Sequence, residues 1–246
     1  MSEKLQKVLA QLGLGSRREI ERWIAAGRIQ VNDQTAKLGD RVDPQTRIKL
    51  DGKPIKLSPS TTVTPVVLMY HKPEGEMCTR HDPEGRATVF DHLPPPPSGR
   101  WVMVGRLDYQ TSGLLLFTND GALANQLMHP SFHLKRVYAV RVYGEVTPDT
   151  LNHLQRGVRL EDGLAKFDII EPMSGEGRNH WYKVTVAMGR NRIVRRLWES
   201  QGVNVNRLIR LEFGPLVLPR SLAAGEWQLL PAEQMKQLQL SIATTP

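Results

Sequence analysis

Between Ser58 and Pro65 the sequence reads SPSTTVTP, a stretch with two prolines and no helical or strand periodicity. A break of this kind divides what can be packed on either side of it. Domains usually run to roughly 100–200 residues, so 246 residues do not call for one oversized core. The expected organisation is a small module over 1–57, a linker over 58–65 and a larger domain over 66–246.

The small module reads as two short helices followed by small strands. Leu5, Val8, Leu9 and Leu12 recur at helical spacing, and Gly13 and Gly15 end that helix. Ser16 with Glu19 forms a capping box for a second helix, whose apolar face is Ile20, Trp23 and Ile24 and whose C′ position suits Gly27. Ile29 and Val31 alternate before an Asn32-Asp33 turn. Ile48 and Leu50, then Asp51-Gly52, then Ile55 and Leu57 read as a hairpin.

From Val66 onward strand and helix patterns alternate irregularly, which is an α+β pattern and not a βαβ repeat. Strands are expected over Val66–Tyr70, Val102–Leu107, Gly113–Thr118, Arg136–Tyr143, Trp181–Met188 and Val203–Leu211. Helices are expected over Ala122–Met128 and Ile193–Ser200, and an exposed loop over Pro94–Gly99.

Charge is unevenly spread. The formal net charge is +8, and residues 1–60 hold 12 Lys or Arg against 7 acids. Such a balance points to a polyanion, most simply nucleic acid. Arg17 and Arg18 fall at a helix N-terminus, where the helix dipole favours an anion and disfavours two cations, so a phosphate site is expected there. The single cysteine, Cys78, excludes an intramolecular disulfide and suits a reducing compartment. The first residues carry no apolar signal-like run, and no segment approaches the about 20 apolar residues of a membrane helix. A soluble, cytoplasmic monomer without membrane partners is the expectation.

Nucleotide and hydrolase signatures are missing: there is no GxxxxGK[ST] loop, no GxGxxG after a strand and no GxSxG elbow. His129 and His133 are separated by Pro130, and Cys78 with His81 lacks a second ligand pair, so no metal site is expected. Two features stand out instead. Gly105-Arg106-Leu107-Asp108 places an acid on a polar turn between two apolar strands; by spacing alone it could equally be a turn Asp bonded to its own backbone. Gly189-Arg-Asn-Arg-Ile-Val-Arg-Arg196 places four arginines at a helix start, with Arg190 and Arg192 in the turn, and Arg207 and Arg210 join the same basic sector. Four cations at that end repel one another and the dipole, which favours an anionic partner or a buried carboxylate.

GRLDYQTSGLLLFTNDG closely resembles the catalytic motif of pseudouridine synthases of the ribosomal small-subunit synthase A family. KRVYAVRV and GRNRIVRRLWESQG resemble that family's tyrosine motif and third motif. The first module resembles the alpha-L RNA-binding domain. Within the family, HKPEGEMCTRHDPEGRATVFDHLP and SEKLQKVL are most similar to members acting on large-subunit ribosomal RNA. The resemblance implies a mixed, largely antiparallel-sheet catalytic domain that isomerises a uridine in large-subunit (23S) ribosomal RNA, without cofactor or metal.

By the same resemblance, Asp108 is the catalytic carboxylate, acting at C1′, at C6 or on a proton. Arg195 is its ion-pair partner, with Arg196 as the rival one register away. Tyr138 stacks on the uracil and assists proton transfer; without the resemblance, Tyr143 is an equal choice. Ile193 and Val194 would keep the pocket dry. The uridine must be flipped out of its stack, and Arg106 would fill the gap or grip a phosphate. Arg17, Arg18, Arg190 and Arg192 complete the expected RNA contacts. Two other readings remain: a non-catalytic ribosome-assembly factor on the same scaffold, and a nuclease or glycosidase, which needs a second carboxylate such as Glu161 or Asp162 beside Asp108.

Overall fold

A computed structural model describes residues 2–57, 64–176 and 178–243. The expected linker, 58–65, lies for the most part outside the described residues. The chain forms two compact units. The first combines Met1–Val66 with Pro95–Val102 and Thr118–Gly121. The second combines Val67–Pro94, Met103–Phe117 and Ala122–Pro246.

The first unit opens with β1 (Glu3–Lys4), α1 (Leu5–Gln11), α2 (Arg17–Ala25), β2 (Ile29–Val31) and β3 (Gln34–Thr35). It continues with β4 (Arg41–Val42), β5 (Ile48–Leu50) and β6 (Lys53–Ile55). β1 pairs with β4, and β3-β2-β5-β6 form an antiparallel sheet. The capping box is complete: Ser16 Oγ accepts from the Glu19 N–H at 3.1 Å, and Glu19 Oε2 accepts from the Ser16 N–H at 3.2 Å. Both hairpin turns need two residues at positive φ, and Asn32-Asp33 (49° and 66°) and Asp51-Gly52 (50° and 76°) supply them. Leu5 and Leu9 of α1, Ile20 and Ile24 of α2, and Ile29, Ala36, Val42 and Ile48 close one core. Arg17 and Arg18 are exposed at the start of α2.

The rest of the chain contributes β7 (Val67–Lys72), β8 (Val102–Val104), β9 (Ser112–Thr118), α3 (Gly121–Met128), β10 (Arg136–Tyr143) and α4 (Pro148–Arg156). Then come β11 (Val158–Leu160), β12 (Gly163–Ala165), β13 (Ile169–Glu176), β14 (Asn179–Val186) and α5 (Ile193–Glu199). β15 (Asn204–Phe213), β16 (Leu216–Val217), β17 (Trp227–Leu229) and α6 (Ala232–Ala243) complete it. One nine-stranded sheet runs β13-β14-β10-β15-β9-β7-β17, with β16 on β15 and β8 on β9. β10 pairs antiparallel with both β14 and β15, whereas β15 meets β9 in parallel. The expected mixed, largely antiparallel sheet is therefore the architecture.

The parallel contact depends on Gly113, which has φ 109° and opposes Arg210; a Cβ there would overlap the Arg210 backbone. Helix α5 is buried almost all round, through Ile193, Val194, Arg195, Leu197 and Trp198. Trp198 packs against Tyr182 and Phe167, at ring-centroid distances of 5.1 and 5.9 Å. The strand expected over Val102–Leu107 stops at Val104, because Gly105 takes a φ of 76° and turns the chain. Helices α4 and α6 and strands β1, β4, β11, β12, β13, β16 and β17 were not legible from periodicity.

After β7 the chain is fastened by a local ion pair. Asp82 accepts from the Arg86 backbone N–H (2.9 Å), Nε (3.0 Å) and Nη2 (2.8 Å), which holds its carboxyl at about 2. A carboxylate depressed on folding contributes stability above its unfolded value, about 3.9, and loses that contribution as pH falls through the folded value. Asp82→Asn should lower stability at neutral pH and flatten the acid limb of a thermal-unfolding profile between the unfolded value of about 4 and the folded value of about 2. Coincident acid limbs for the two proteins would dismiss the pair as a stabiliser.

Candidate active site

The segment between β8 and β9 carries Asp108, and its backbone is anchored at nearly every residue. The Leu107 N–H donates to Cys78 Sγ at 3.4 Å, and the Asp108 carbonyl accepts from the Thr111 N–H at 3.0 Å. The next three carbonyls are taken by two buried cations. Lys72 Nζ, at the end of β7, donates to Thr111 O (2.9 Å) and more weakly to Tyr109 O (3.4 Å), as well as to Pro73 O (2.8 Å). Arg195 Nη2, on α5, donates to Gln110 O at 2.8 Å, while its Nη1 holds Val205 O of β15 at 2.9 Å. The Gly75 N–H adds a second bond to Tyr109 O at 2.9 Å. A loop of this length would otherwise be free to move; here each carbonyl from Asp108 to Thr111 has a charged or backbone donor.

Burial pulls both cations' pKa values down, and for each the nearby Asp108 carboxylate acts in the opposite direction. Lys72 is fully buried and Arg195 is 4% exposed.

Asp108 opens into a cleft of about 790 Å³. Its charged lining consists of Arg106, Arg136, Arg190, Arg192 and Arg210, with Asp108 as the lone acid. The apolar part includes Met77, Met103, Met128, Met188 and Phe213, with Tyr138 on β10 and Ile193 at the start of α5. A recess of about 60 Å³, bounded by Thr111, Val194 and Leu208, shares Asp108 and Tyr138. Cys78 also faces the cleft, and burial pushes its thiol up. Among the described residues no three His, Cys, Asp or Glu side chains stand together as a metal cluster.

Several sequence expectations meet here and one is corrected. Asp108, Tyr138, Arg106, Arg190, Arg192 and Ile193 line one cleft. Tyr143 is exposed at the end of β10, so the geometry separates it from Tyr138. The expected Asp108–Arg195 ion pair is not present: Arg195 is bonded to two carbonyls and lines neither the cleft nor the recess. The cation in range of Asp108 is Arg192, with Nη1 3.9 Å from Oδ2, and the Asp108 side chain is 32% exposed. The reason lies in the backbone. Arg192 has φ 46°, which places it on the turn before α5 and over the cleft, whereas Arg195 sits a turn of helix deeper. Arg196, the rival, pairs with Asp162 in the β11–β12 turn, which also draws Arg190 Nη1 to 3.6 Å. Asp162 is thereby held below the usual carboxylate range, chiefly by its hydrogen bond to Arg196, and it does not line the cleft.

Three residues of this site escaped sequence reasoning. Lys72 ends an apolar strand where a lysine usually reaches solvent. Arg136 lies two residues before Tyr138 on an alternating strand and so faces the same way, which was the available signal. Arg210 was visible only as part of a basic sector.

Comparison with known proteins adds to this geometry. Residues 66–200 match the model of the family described as RNA pseudouridylate synthase, and residues 3–48 match that of the S4 domain. The chain belongs to the RNA pseudouridylate synthase family. It is 54% identical to Ribosomal large subunit pseudouridine synthase B of Pseudomonas aeruginosa, across its whole length and 64% of that protein. It is 55% identical to the protein of the same name from Escherichia coli K12, across its whole length and 85% of that protein. A crystal structure of a pseudouridylate synthase shares the fold, with a TM-score of 0.66, 24% identity, and coverage of 96% of this chain and 99% of that one. In this family member the expected alpha-L module thus corresponds to an S4 domain.

The two carbonyl bonds of Arg195 give a direct prediction. A lysine keeps the charge but has one head group and cannot span Gln110 O and Val205 O. Arg195→Lys should lose about 1–3 kcal/mol in denaturant unfolding, because a buried acceptor is left unmet. Turnover should fall more than RNA affinity does. Unchanged stability together with unchanged turnover would show that the loop does not depend on this bond.

Proposed function

We propose that this cleft isomerises a uridine of large-subunit ribosomal RNA to pseudouridine, with Asp108 as the catalytic carboxylate. The observation that carries the reading is a single acid on a pinned loop, facing Tyr138 inside a cleft whose other charges are all arginine. The names of the full-length relatives supply the substrate class, and the S4 match suits an RNA-binding first unit.

The target uridine enters as a flipped base, because a stacked base cannot present C1′ or C6 to a side chain. Tyr138 supplies the aromatic face, and its hydroxyl is placed to take part in proton transfer. Arg192 is the cation in range of the Asp108 carboxylate, 3.9 Å away. Arg195 acts at one remove, by holding the loop, and is a positioning residue. Arg106, exposed beside the turn, is suited to occupy the vacated stack or to grip a neighbouring phosphate, and Arg190 and Arg192 neutralise phosphates at the rim. Arg17 and Arg18, exposed at the N-terminus of α2 on the first unit, supply further phosphate contacts. The reaction moves a glycosidic bond from N1 to C5 and is redox neutral, so these groups cover its needs.

Asp108→Asn should abolish pseudouridine formation, mapped in large-subunit RNA, while RNA binding persists. Turnover retained in that variant would remove Asp108 from the chemistry. An assembly factor on the same scaffold instead predicts that the unaltered protein leaves the RNA chemically unchanged. Replacing Arg17 and Arg18 together by Ala should weaken binding and reduce the slope of log affinity against log salt by up to about two. An unchanged slope would mean that α2 does not meet phosphate.

A further inference from the structure

Arg210 is a deeply buried charge of the second unit with an unmet donor. It is 2% exposed, yet among the described residues no carboxylate stands within ion-pair distance of it. Its Nε donates to Leu114 O at 2.6 Å, while Nη2 is buried without an acceptor. An arginine carries five N–H donors, and the two on Nη2 have no acceptor among the described residues. A buried cation left in this state is costly unless something else meets it.

Its position indicates what that is. Arg210 lies in the lining of the cleft and is the direct cross-strand partner of Tyr138 in the β10–β15 register, so the two side chains leave the same face of the sheet as neighbours. Its guanidinium carbon lies 5.4 Å from the Phe213 ring centroid, and Arg136 approaches the same ring at 5.2 Å. Arg136, however, is occupied: its Nη1 holds Leu134 O and Ala187 O, each at 2.9 Å. Phe213 stands beside the guanidinium, and the cleft lining adds four methionines, an apolar surface that suits a flat ring better than a hydrated phosphate.

We propose that Arg210 is a catalytic residue whose free N–H groups donate to a carbonyl oxygen of the flipped uracil and stabilise the negative charge that gathers there. The inference rests on the proposed uridine isomerisation and deepens it. All three routes open to Asp108 place charge on O4, and two of them on O2 as well. Attack at C1′ forms an O–C1′ bond, and removal of the C2′ proton forms a C1′–C2′ double bond; each breaks the C1′–N1 bond with its electron pair going to N1 and spreading over O2 and O4. Attack at C6 forms an O–C6 bond and drives the C5–C6 π pair toward O4, after which the C1′–N1 bond breaks. In each case C5 then bonds to C1′: the carboxylate is displaced from C1′ on the first route, returns its proton to C2′ on the second and leaves C6 on the third, while the C5 proton departs and N1 gains one, so the sum is an isomerisation. A fixed guanidinium in a water-poor wall is worth most where such charge develops.

The test is a cycle between protein and substrate, using RNA with uridine, 2-thiouridine or 4-thiouridine at the target position. Arg210→Met should slow single-turnover conversion of the uridine substrate by about 10²–10³-fold with RNA affinity unchanged. Sulfur at the contacted position should slow the unaltered enzyme by about tenfold. It should not slow Arg210→Met further, because the bond is already gone. Arg210→Lys should recover part of the rate, and it carries the same cycle if circular dichroism shows that Arg210→Met does not fold. If the effects of variant and sulfur simply multiply at both positions, Arg210 supports the sheet and the proposal is wrong. If the unaltered enzyme makes no pseudouridine at all, the functional reading fails first and takes this inference with it.

Discussion

The carbonyls of Tyr109, Gln110 and Thr111 are the hinge on which the site depends. A reactive carboxylate on a connecting loop is useful only if the loop holds still to a fraction of an ångström. Here stillness comes from two cations that never face the cleft. Lys72 and Arg195 arrive from β7 and α5, on opposite sides of the loop, and each is buried against backbone oxygen. Neither could be replaced by an apolar residue without leaving carbonyls unbonded. Their charge also reaches Asp108 through the protein, so one pair of side chains sets both the place of the carboxylate and part of its electrostatic surroundings.

The cleft above this loop is arranged in depth. At the rim, Arg106 and Arg192 are accessible and suited to a backbone that carries its own charge. In the wall, Arg136 and Arg210 flank Phe213 beside Tyr138, where water is scarce. Phosphates met at the rim and a neutral ring met in the wall are different tasks, and the arginines are graded between them by burial. A second anchor, the Asp162 carboxylate with Arg190 and Arg196, shapes the turn that opens α5; of the three only Arg190 lines the cleft.

Much of this was written in the sequence at the level of segments. The capping box at Ser16 and Glu19, the two positive-φ hairpin turns, the alternating Arg136–Tyr143 strand and the helix from Ile193 all follow from local rules, and all form as those rules require. The grouping of Asp108, Tyr138 and the Gly189–Arg192 turn came from motif resemblance, because no periodicity brings together residues 30 to 84 positions apart. Which arginine faces the carboxylate was not legible. That choice turns on the left-handed conformation of Arg192 and on where Arg195 finds acceptors, and both are tertiary facts. Lys72 escaped notice for a similar reason: its role exists only once the carbonyls that receive it are in place. The short strands β16 and β17, of two and three residues, are set by the neighbours they pair with and leave little trace in their own sequence.

The parallel contact of Gly113 with Arg210 ties the strand leaving the Asp108 loop to one that begins at Asn204. That contact closes a long excursion of chain, and long-range pairings of this sort form late. During synthesis the segment bearing Asp108 therefore emerges well before the strand that completes the wall beside it. A nascent chain halted short of Arg210 would hold the acid without the arginine and phenylalanine that this strand adds to the cleft wall.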